Sequence, residues 1–126
     1  MSKKLDDKND NSRTTLLASQ KSLGAYIVSL TKHIPKLHRS LFGETIKAIN
    51  SGNKIALEID EFSNQSRRHT LLTELNVATG NVNILTDYLY YERAITKRQR
   101  ESIFKRTTVI HNFIVALRKK YENNQK

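Results

Sequence analysis

The chain has 126 residues and a formal net charge of +10, from 22 Lys and Arg against 12 Asp and Glu. This length suits one domain and is too short for two ordinary ones. The absence of Cys excludes a disulfide framework and a thiolate site, and no uninterrupted apolar run approaches the roughly 20 residues that cross a bilayer. We therefore expect one cytoplasmic domain whose excess positive charge meets a polyanion.

Residues 1–13 are a polar mixture without the apolar core of a secretory signal, and they predict a disordered tail. Residues 14–121 carry four amphipathic stretches, and residues 122–126 predict a second polar tail. The first stretch, residues 14–34, places its apolar side chains on one helical face. These are Leu16, Leu23, Ile27, Leu30 and Ile34. Pro35 predicts a boundary there, because proline disfavours helical geometry in the preceding residue and suits the first turn of the next helix.

The second stretch covers residues 36–62, and its apolar face is Phe42, Ile46, Ile49, Ala56, Ile59 and Phe62. Gly52 lies in a polar patch near its middle and costs about 1 kcal/mol of helix propensity relative to Ala. The pattern favours one long helix with a kink near Gly52. Two shorter helices joined by a turn are the alternative.

A polar break at residues 63–66 precedes the third stretch, whose apolar residues repeat at steps of four and three. They are Leu71, Leu75, Ala78, Val82, Leu85 and Leu89. Thr96, followed three residues later by Gln99, matches a capping box and predicts the start of a fourth helix. The fourth face is Ile103, Ile110, Phe113, Ile114, Leu117 and Tyr121. Because short connections force consecutive helices to run antiparallel, the sequence predicts an all-α, up-down-up-down four-helix bundle.

This topology sorts the basic side chains into two poles. The first and last connections share one end, here called the junction pole, with Lys32, His33, Lys36, His38, Arg39, Arg93, Lys97, Arg98 and Arg100. The opposite end, the distal pole, carries Arg67, Arg68, His69, Arg118, Lys119 and Lys120. The helix macrodipole favours cations at a helix C-terminus, which accounts for residues 118–120 without a ligand. The same dipole disfavours Lys97, Arg98 and Arg100 at a helix start, so these three indicate an external anion.

We expect nucleic acid to bind at both poles and along residues 93–106. The predicted contacts are Lys36, His38, Arg39, Arg67, Arg68, Arg93, Lys97, Arg98, Arg100, Lys105, Arg106, Arg118, Lys119 and Lys120. A solvated face without a ligand is the alternative, because charge runs are not specific signals. Three tyrosines beside this segment, Tyr88, Tyr90 and Tyr91, either pack at the end of the bundle or stack on unpaired bases.

The sequence contains no arrangement typical of catalysis or metal binding. None of the four His residues has the i, i+4 partner and carboxylate of a helical zinc site, and no Gly-rich phosphate loop is present. We expect no enzymatic activity, no cofactor and no metal, with His111 as a partly buried, hydrogen-bonded packing residue. Gly24, Gly43 and Gly80 interrupt helical patterns, and close helix approach is one explanation.

The string His33-Ile34-Pro35-Lys36-Leu37-His38-Arg39 resembles the Pro-Lys/Arg-x-x-Arg junction of a family of small four-helix bundles. This family includes proteins encoded in 23S ribosomal RNA intervening sequences and Avd, the accessory variability determinant of diversity-generating retroelements. Similarity to Avd in particular extends over residues 17–120. It continues through Ser63-Asn64-Gln65, Tyr88-Leu89-Tyr90-Tyr91, Ile95-Thr96-Lys97-Arg98-Gln99 and Ile114-Val115-Ala116-Leu117-Arg118-Lys119-Lys120.

The resemblance implies a homopentameric, non-enzymatic partner of the retroelement reverse transcriptase that holds template RNA or complementary DNA on basic surfaces and supports mutagenic retrohoming. The tyrosines and Phe62 also carry more aromatic surface than the narrow apolar face of each helix can bury in a monomer, which indicates an oligomer. The chain departs from the family at residues 112–115, where members often carry Gly and Trp, and at the polar residues 50–54. Two alternatives are a structural bundle of the ribosomal intervening-sequence type and a DNA-binding protein that inserts a recognition helix.

Overall fold

A computed structural model describes the backbone of residues 11–61 and 65–124, and the side chains of residues 16–59 and 67–122. These residues form four α-helices: α1 (Asn11–Ser29), α2 (Arg39–Glu61), α3 (Gln65–Tyr91) and α4 (Lys97–Asn124). Two short 3-10 segments, Leu30–His33 and Lys36–His38, connect α1 to α2. The described residues contain no strand, so the predicted all-α class is confirmed. None of the described helices is both long and apolar enough to cross a bilayer.

The helices form a four-membered ring in which α1 packs on α2 and α4, and α3 packs on the same two helices. Polar contacts show the relative direction of α3 and α4. Arg100 at the start of α4 bonds to Asp87 near the end of α3, whereas Arg118 near the end of α4 bonds to Thr73 near the start of α3. These two helices are therefore antiparallel, in agreement with the predicted up-down-up-down bundle.

The connection between α1 and α2 follows the proline prediction in part. Ile34 has extended backbone angles, φ −90° and ψ 122°, so the helical path does end before Pro35. The α-helix itself ends earlier, at Ser29, and continues as a 3-10 turn. A second 3-10 turn follows Pro35, and α2 begins only at Arg39. The α-helices are therefore shorter at this junction than the predicted stretches 14–34 and 36–62.

The predicted apolar faces meet in one core. Its buried members include Leu16, Leu23, Ile27, Leu30, Ile34, Phe42, Ile49, Ala56, Ile59, Leu71, Leu75, Val82, Leu89, Ile103, Ile110, Ile114, Leu117 and Tyr121. Ile46, Leu85 and Phe113 are partly buried and pack against it. The predicted core residue Phe62 lies outside the described residues.

Apolar periodicity missed a second class of core residue, the buried polar side chains Gln20, Thr45, Thr79, Thr86 and Thr107. Thr79 and Thr86 occupy the heptad steps between Leu75 and Leu89 on α3. Thr79 Oγ1 donates a 2.9 Å hydrogen bond to the carbonyl oxygen of Leu75, one turn earlier. Because this bond satisfies the hydroxyl within its own helix, threonine fills a core position without a partner on another helix.

The helix α2 runs unbroken through Gly52, so the alternative of two shorter helices does not occur. The reason for glycine there is a contact with α1. A Cβ atom at position 52 would lie 3.1 Å from Oε1 and 3.2 Å from Nε2 of Gln20, whose side chain is only 2% exposed. Gly24 is similar, since its Cβ would lie 3.3 Å from Cγ2 of Ile49. Close helix approach therefore explains Gly24 and Gly52. It does not explain Gly43 and Gly80, where an added Cβ has no atom within 4 Å.

We expect Gly52→Ala and Gly80→Ala to have different effects on stability. Both substitutions gain about 1 kcal/mol of helix propensity. At Gly80 the methyl group enters open space, so the free energy of unfolding should rise by about that amount. At Gly52 the buried Gln20 amide must move, which offsets the gain.

Urea denaturation of the two variants measures this difference, and Gln20→Ala provides the background in which the contact is absent. Gly52→Ala should become stabilising in that background. An equal gain at both glycines in the wild-type background would contradict the proposed contact.

The bundle boundaries differ slightly from the predicted domain of residues 14–121. α1 begins at Asn11 and so includes residues 11–13 of the predicted N-terminal tail. α4 continues to Asn124, into the predicted tail 122–126. The rest of these two predicted tails, residues 1–10 and 125–126, lies outside the described part of the chain.

Candidate nucleic-acid interface

The connection from α3 to α4, residues 92–96, contains a basic residue in an unusual conformation. Arg93 has φ 60°, in the left-handed region that glycine usually occupies at a helix C-terminus. The backbone N–H of Arg93 bonds to the carbonyl oxygen of Tyr90 at 2.9 Å, and that of Ala94 bonds to Leu89 at 2.8 Å. This pair of bonds is a Schellman motif, which satisfies the last carbonyls of α3 and reverses the chain within a few residues.

The start of α4 confirms the predicted capping box. The backbone N–H of Thr96 donates to Oε1 of Gln99 at 2.8 Å, and the backbone N–H of Gln99 donates to Oγ1 of Thr96 at 3.1 Å. Both bonds satisfy N–H groups that a helix start leaves without partners. The cap places Lys97 and Arg98 as the first two residues of α4, with no acidic residue in the first turn.

We expect Arg93→Gly to stabilise the bundle by up to about 1 kcal/mol, because glycine adopts the left-handed conformation without the steric cost that a Cβ atom incurs. Arg93→Ala is the matched variant, since it removes the same charge and keeps the Cβ atom. Urea denaturation should rank Gly above both Arg and Ala at this position. Equal stability of the Gly and Ala variants would contradict the assigned turn.

The junction pole carries cations that are free to bind an external anion. Lys36, Arg39, Arg93, Lys97 and Arg98 of this pole are exposed, and His38 is partly buried. Lys105 is also exposed, about two turns farther along α4. Within the described part of the chain, none of these seven side chains makes a hydrogen bond or an ion pair. The antiparallel topology brings the starts of α2 and α4 to the same end, and neither helix has an acidic residue in its first turn. The partial positive charge of two helix N-termini adds to that of the side chains.

The arginines Arg100 and Arg106 differ from this group because the bundle itself engages them. Nε of Arg100 donates a 2.8 Å hydrogen bond to Oδ1 of Asp87, and its guanidinium lies 4.7 Å from the ring centre of Tyr90. The guanidinium of Arg106 lies 4.2 Å from the ring centre of Tyr26 and donates to the carbonyl oxygen of Ser102 at 3.2 Å. Their planar groups stabilise contacts between helices and are less available to phosphates than the free lysines.

Intrachain contacts also engage the arginines of the distal pole. Arg67 Nε donates to Oε1 of Glu58 at 2.9 Å, and this hydrogen bond, together with the carboxylate charge, raises the pKa of the Arg67 guanidinium. The Arg68 guanidinium lies 5.4 Å from the Tyr121 ring centre.

The Arg118 side chain bonds to Oγ1 of Thr73 at 2.9 Å. Lys119 and Lys120 are exposed and make no hydrogen bond or ion pair among the described residues. α4 continues to Asn124, so residues 118–120 precede its last turn. The macrodipole acts mainly on charges in the last turn, and it therefore accounts for these three cations less well than the sequence alone indicated.

The three tyrosines at the end of α3 differ in exposure. Tyr90 is partly buried, packs against the core and lies under Arg100. Tyr88 and Tyr91 are 51% and 67% exposed, so their rings are accessible from solvent. The Tyr90 and Tyr91 ring centres lie 5.9 Å apart and tilted, as is typical of packed aromatic pairs.

Sequence reasoning missed Phe104, which lies between α3 and α4 near the junction pole. Its side chain is 60% exposed. Phe104 lines a crevice with Lys97 and the Asp87–Arg100 ion pair. The signal in the sequence was an aromatic residue directly after the core residue Ile103, off the buried face of the helix.

His111 forms the expected hydrogen bond, with Nδ1 2.9 Å from Oδ1 of Asn76, but its side chain is exposed and not partly buried. Among the described residues, no three His, Asp or Glu side chains form a group that would hold a metal ion. Comparison with models of known protein families and with curated proteins finds no match to this chain.

Proposed function

We propose that this protein is a non-enzymatic accessory protein that binds nucleic acid through the junction pole. The observation that carries this proposal is the set of cationic or titratable side chains, without partners among the described residues, at the end where α2 and α4 begin, together with Lys105 farther along α4. Cations at a helix N-terminus and an arginine in the left-handed region both cost stability. A phosphate backbone at this surface would offset the electrostatic cost at the start of α4, since it supplies the missing negative charge.

The specific form of this role follows from the resemblance to Avd. We propose a cytoplasmic subunit of a diversity-generating retroelement that binds the reverse transcriptase together with template RNA or complementary DNA. Two of the segments that carry the resemblance, residues 33–39 and 95–99, form the two connections of the junction pole. The candidate surface and the family-like residues therefore coincide.

Assembly into a homopentamer belongs to the same proposal. The bundle exposes Val28 on α1, Val77 and Ile84 on α3 and Val109 on α4, each between 45% and 68% exposed. Val77 and Ile84 also line a groove of about 700 Å³ between α2 and α3. Burial of such apolar surface in subunit contacts would stabilise an oligomer.

Two measurements test the proposed function. The first is co-purification of the full chain with the reverse transcriptase encoded beside its gene. The second is binding of a fluorescently labelled single-stranded RNA at increasing salt. With about seven phosphate contacts, we expect affinity to fall by about 10³-fold between about 50 mM and about 200 mM salt. A protein that binds neither the enzyme nor RNA would contradict the proposal and favour the structural-bundle alternative.

A further inference from the structure

The crevice between α3 and α4 has the size and polarity of a small ligand site. It encloses about 330 Å³, within the range of about 300–1,000 Å³ that ligand clefts occupy. Its lining includes two basic side chains, Lys97 and Arg100, and two acidic ones, Asp87 and Glu101, so its formal charges balance. A cleft without net charge does not favour a phosphate group inside it. It does offer hydrogen-bond donors and acceptors to an uncharged, polar ring.

Thr86 provides a buried hydroxyl that lacks a partner in the described part of the chain. Its side chain is 2% exposed, lines the crevice, and its Oγ1 makes no hydrogen bond. By contrast, Thr45, Thr73 and Thr79 each donate to the carbonyl oxygen four residues earlier. A buried hydroxyl without a partner costs free energy that a ligand recovers when it supplies the missing bond.

Two neighbouring side chains complete a surface for a flat ring. Phe104 exposes most of its side chain beside the crevice, and an exposed aromatic face is a stacking platform. Oδ1 of Asn83 lies 2.9 Å from Oγ1 of Thr107, whose hydroxyl is also 2.9 Å from the carbonyl oxygen of Phe104, and this contact positions the amide. The NH₂ group of Asn83 makes no hydrogen bond among the described residues and is available as a donor.

We propose that this crevice accepts one unstacked nucleobase of a single-stranded nucleic acid. Phe104 stacks on the base, while Thr86 and Asn83 bond to its edge. The flanking phosphates contact the free cations Arg98 and Lys105, outside the charge-balanced crevice. This inference rests on the proposed nucleic-acid binding and adds a preference for single strands, because a paired base must leave its stack before it enters a crevice.

A strand fits the surroundings better than a free nucleotide does. The free cations continue beyond the crevice, from Lys105 on α4 across Arg98 to Arg93 in the turn. A mononucleotide would use one of these positions, whereas a strand contacts several at once. Affinity should therefore depend on the length of the ligand.

Phe104→Leu tests the stacking role, with Val115→Ala as the control because Val115 is an exposed apolar residue of α4 outside the crevice. The probes are a labelled single-stranded DNA of about 20 nucleotides and the duplex of the same sequence, followed by fluorescence anisotropy. Phe104→Leu should weaken single-strand binding by about 5- to 100-fold and leave duplex binding unchanged. Val115→Ala should change neither.

Thr86→Val tests the buried hydroxyl, with Thr45→Val as the control. Thr86→Val removes no intrachain hydrogen bond, so its thermal midpoint should not fall, while single-strand affinity should decrease several-fold. Thr45→Val removes the bond to Leu41 and should lower the thermal midpoint without a change in affinity.

The outcomes separate this inference from the proposed function. If the wild-type protein binds both probes with strong salt dependence and Phe104→Leu weakens both equally or neither, nucleic-acid binding stands and the base crevice is wrong. If nucleoside monophosphates compete as strongly as the strand, the ligand is a free nucleotide and the single-strand assignment is wrong. If the wild-type protein binds neither probe, both proposals are wrong.

Discussion

Replacement of Lys97, Arg98 and Lys105 with Gln is expected to weaken single-stranded RNA binding by about 100-fold at about 0.1 M salt. Each phosphate contact on a single strand contributes about 0.7 to the slope of log affinity against log salt. The triple variant should therefore reduce this slope by about 2. These three residues are chosen because all are exposed and make no intrachain hydrogen bond or ion pair among the described residues.

Arg100 is left unchanged in this variant, although it belongs to the predicted binding set. Its guanidinium bonds to Asp87, so its removal would also leave a carboxylate without a partner and alter the contact between α3 and α4. A combined loss of binding and stability would then be hard to assign. Substitution of an exposed lysine or arginine, by contrast, usually changes the free energy of unfolding by less than about 0.5 kcal/mol.

The control for net charge is a triple variant with Gln at Lys21, Lys47 and Lys54, which are exposed on α1 and α2 away from the junction pole. It lowers the net charge by the same amount. Fluorescence anisotropy at several salt concentrations should show a much smaller loss of affinity in this control. An equal loss in the two variants would mean that the overall field of the protein, and not the junction pole, attracts RNA.

Leu72→Ala is expected to lower the free energy of unfolding by about 2–5 kcal/mol, because it leaves a cavity in a closely packed core. Leu72 is 0% exposed on α3. The total stability of small domains is about 5–15 kcal/mol, so this single change removes a large part of it. Val77→Ala on the same helix is the control, since Val77 is 68% exposed and should lose little.

Urea denaturation followed by circular dichroism measures both variants. The midpoint of Leu72→Ala should fall well below that of Val77→Ala, with a similar dependence on denaturant. A loss below about 1 kcal/mol for Leu72→Ala would show that the core does not pack tightly around α3. If Val77→Ala is the more damaging variant in a sample that sediments as an oligomer, Val77 lies in a subunit interface.

The buried faces of the helices were predictable because the spacing of apolar residues along the sequence identifies them. Leu23 and Ile27 on α1, or Ile110 and Ile114 on α4, recur at steps that place them on one side of a helix, and all four are buried. Thr86 and Gln20 lie on the same buried faces but are polar, so a search for apolar residues does not identify them. A heptad read by position, regardless of polarity, would have included both.

The long helix through Gly52 shows where local propensity misleads. Glycine and its polar neighbours weaken a helix in isolation, and this favours a kink or a turn. No turn interrupts α2 in the structure, because the missing side chain lets Gln20 of α1 pack against α2. Gln20 lies more than thirty residues before Gly52 in the chain, so the sequence around Gly52 does not indicate this contact.

Residue order alone predicted the helical class, the end of the helical path before Pro35 and the capping box of Thr96 and Gln99. Each depends on interactions within about one or two turns of the same segment, which residue order specifies directly. Which cations are free depends instead on how the helices pack. Arg100 meets Asp87 and Arg118 meets Thr73 across 13 and 45 positions of sequence, because the register and rotation of packed helices bring those side chains within reach.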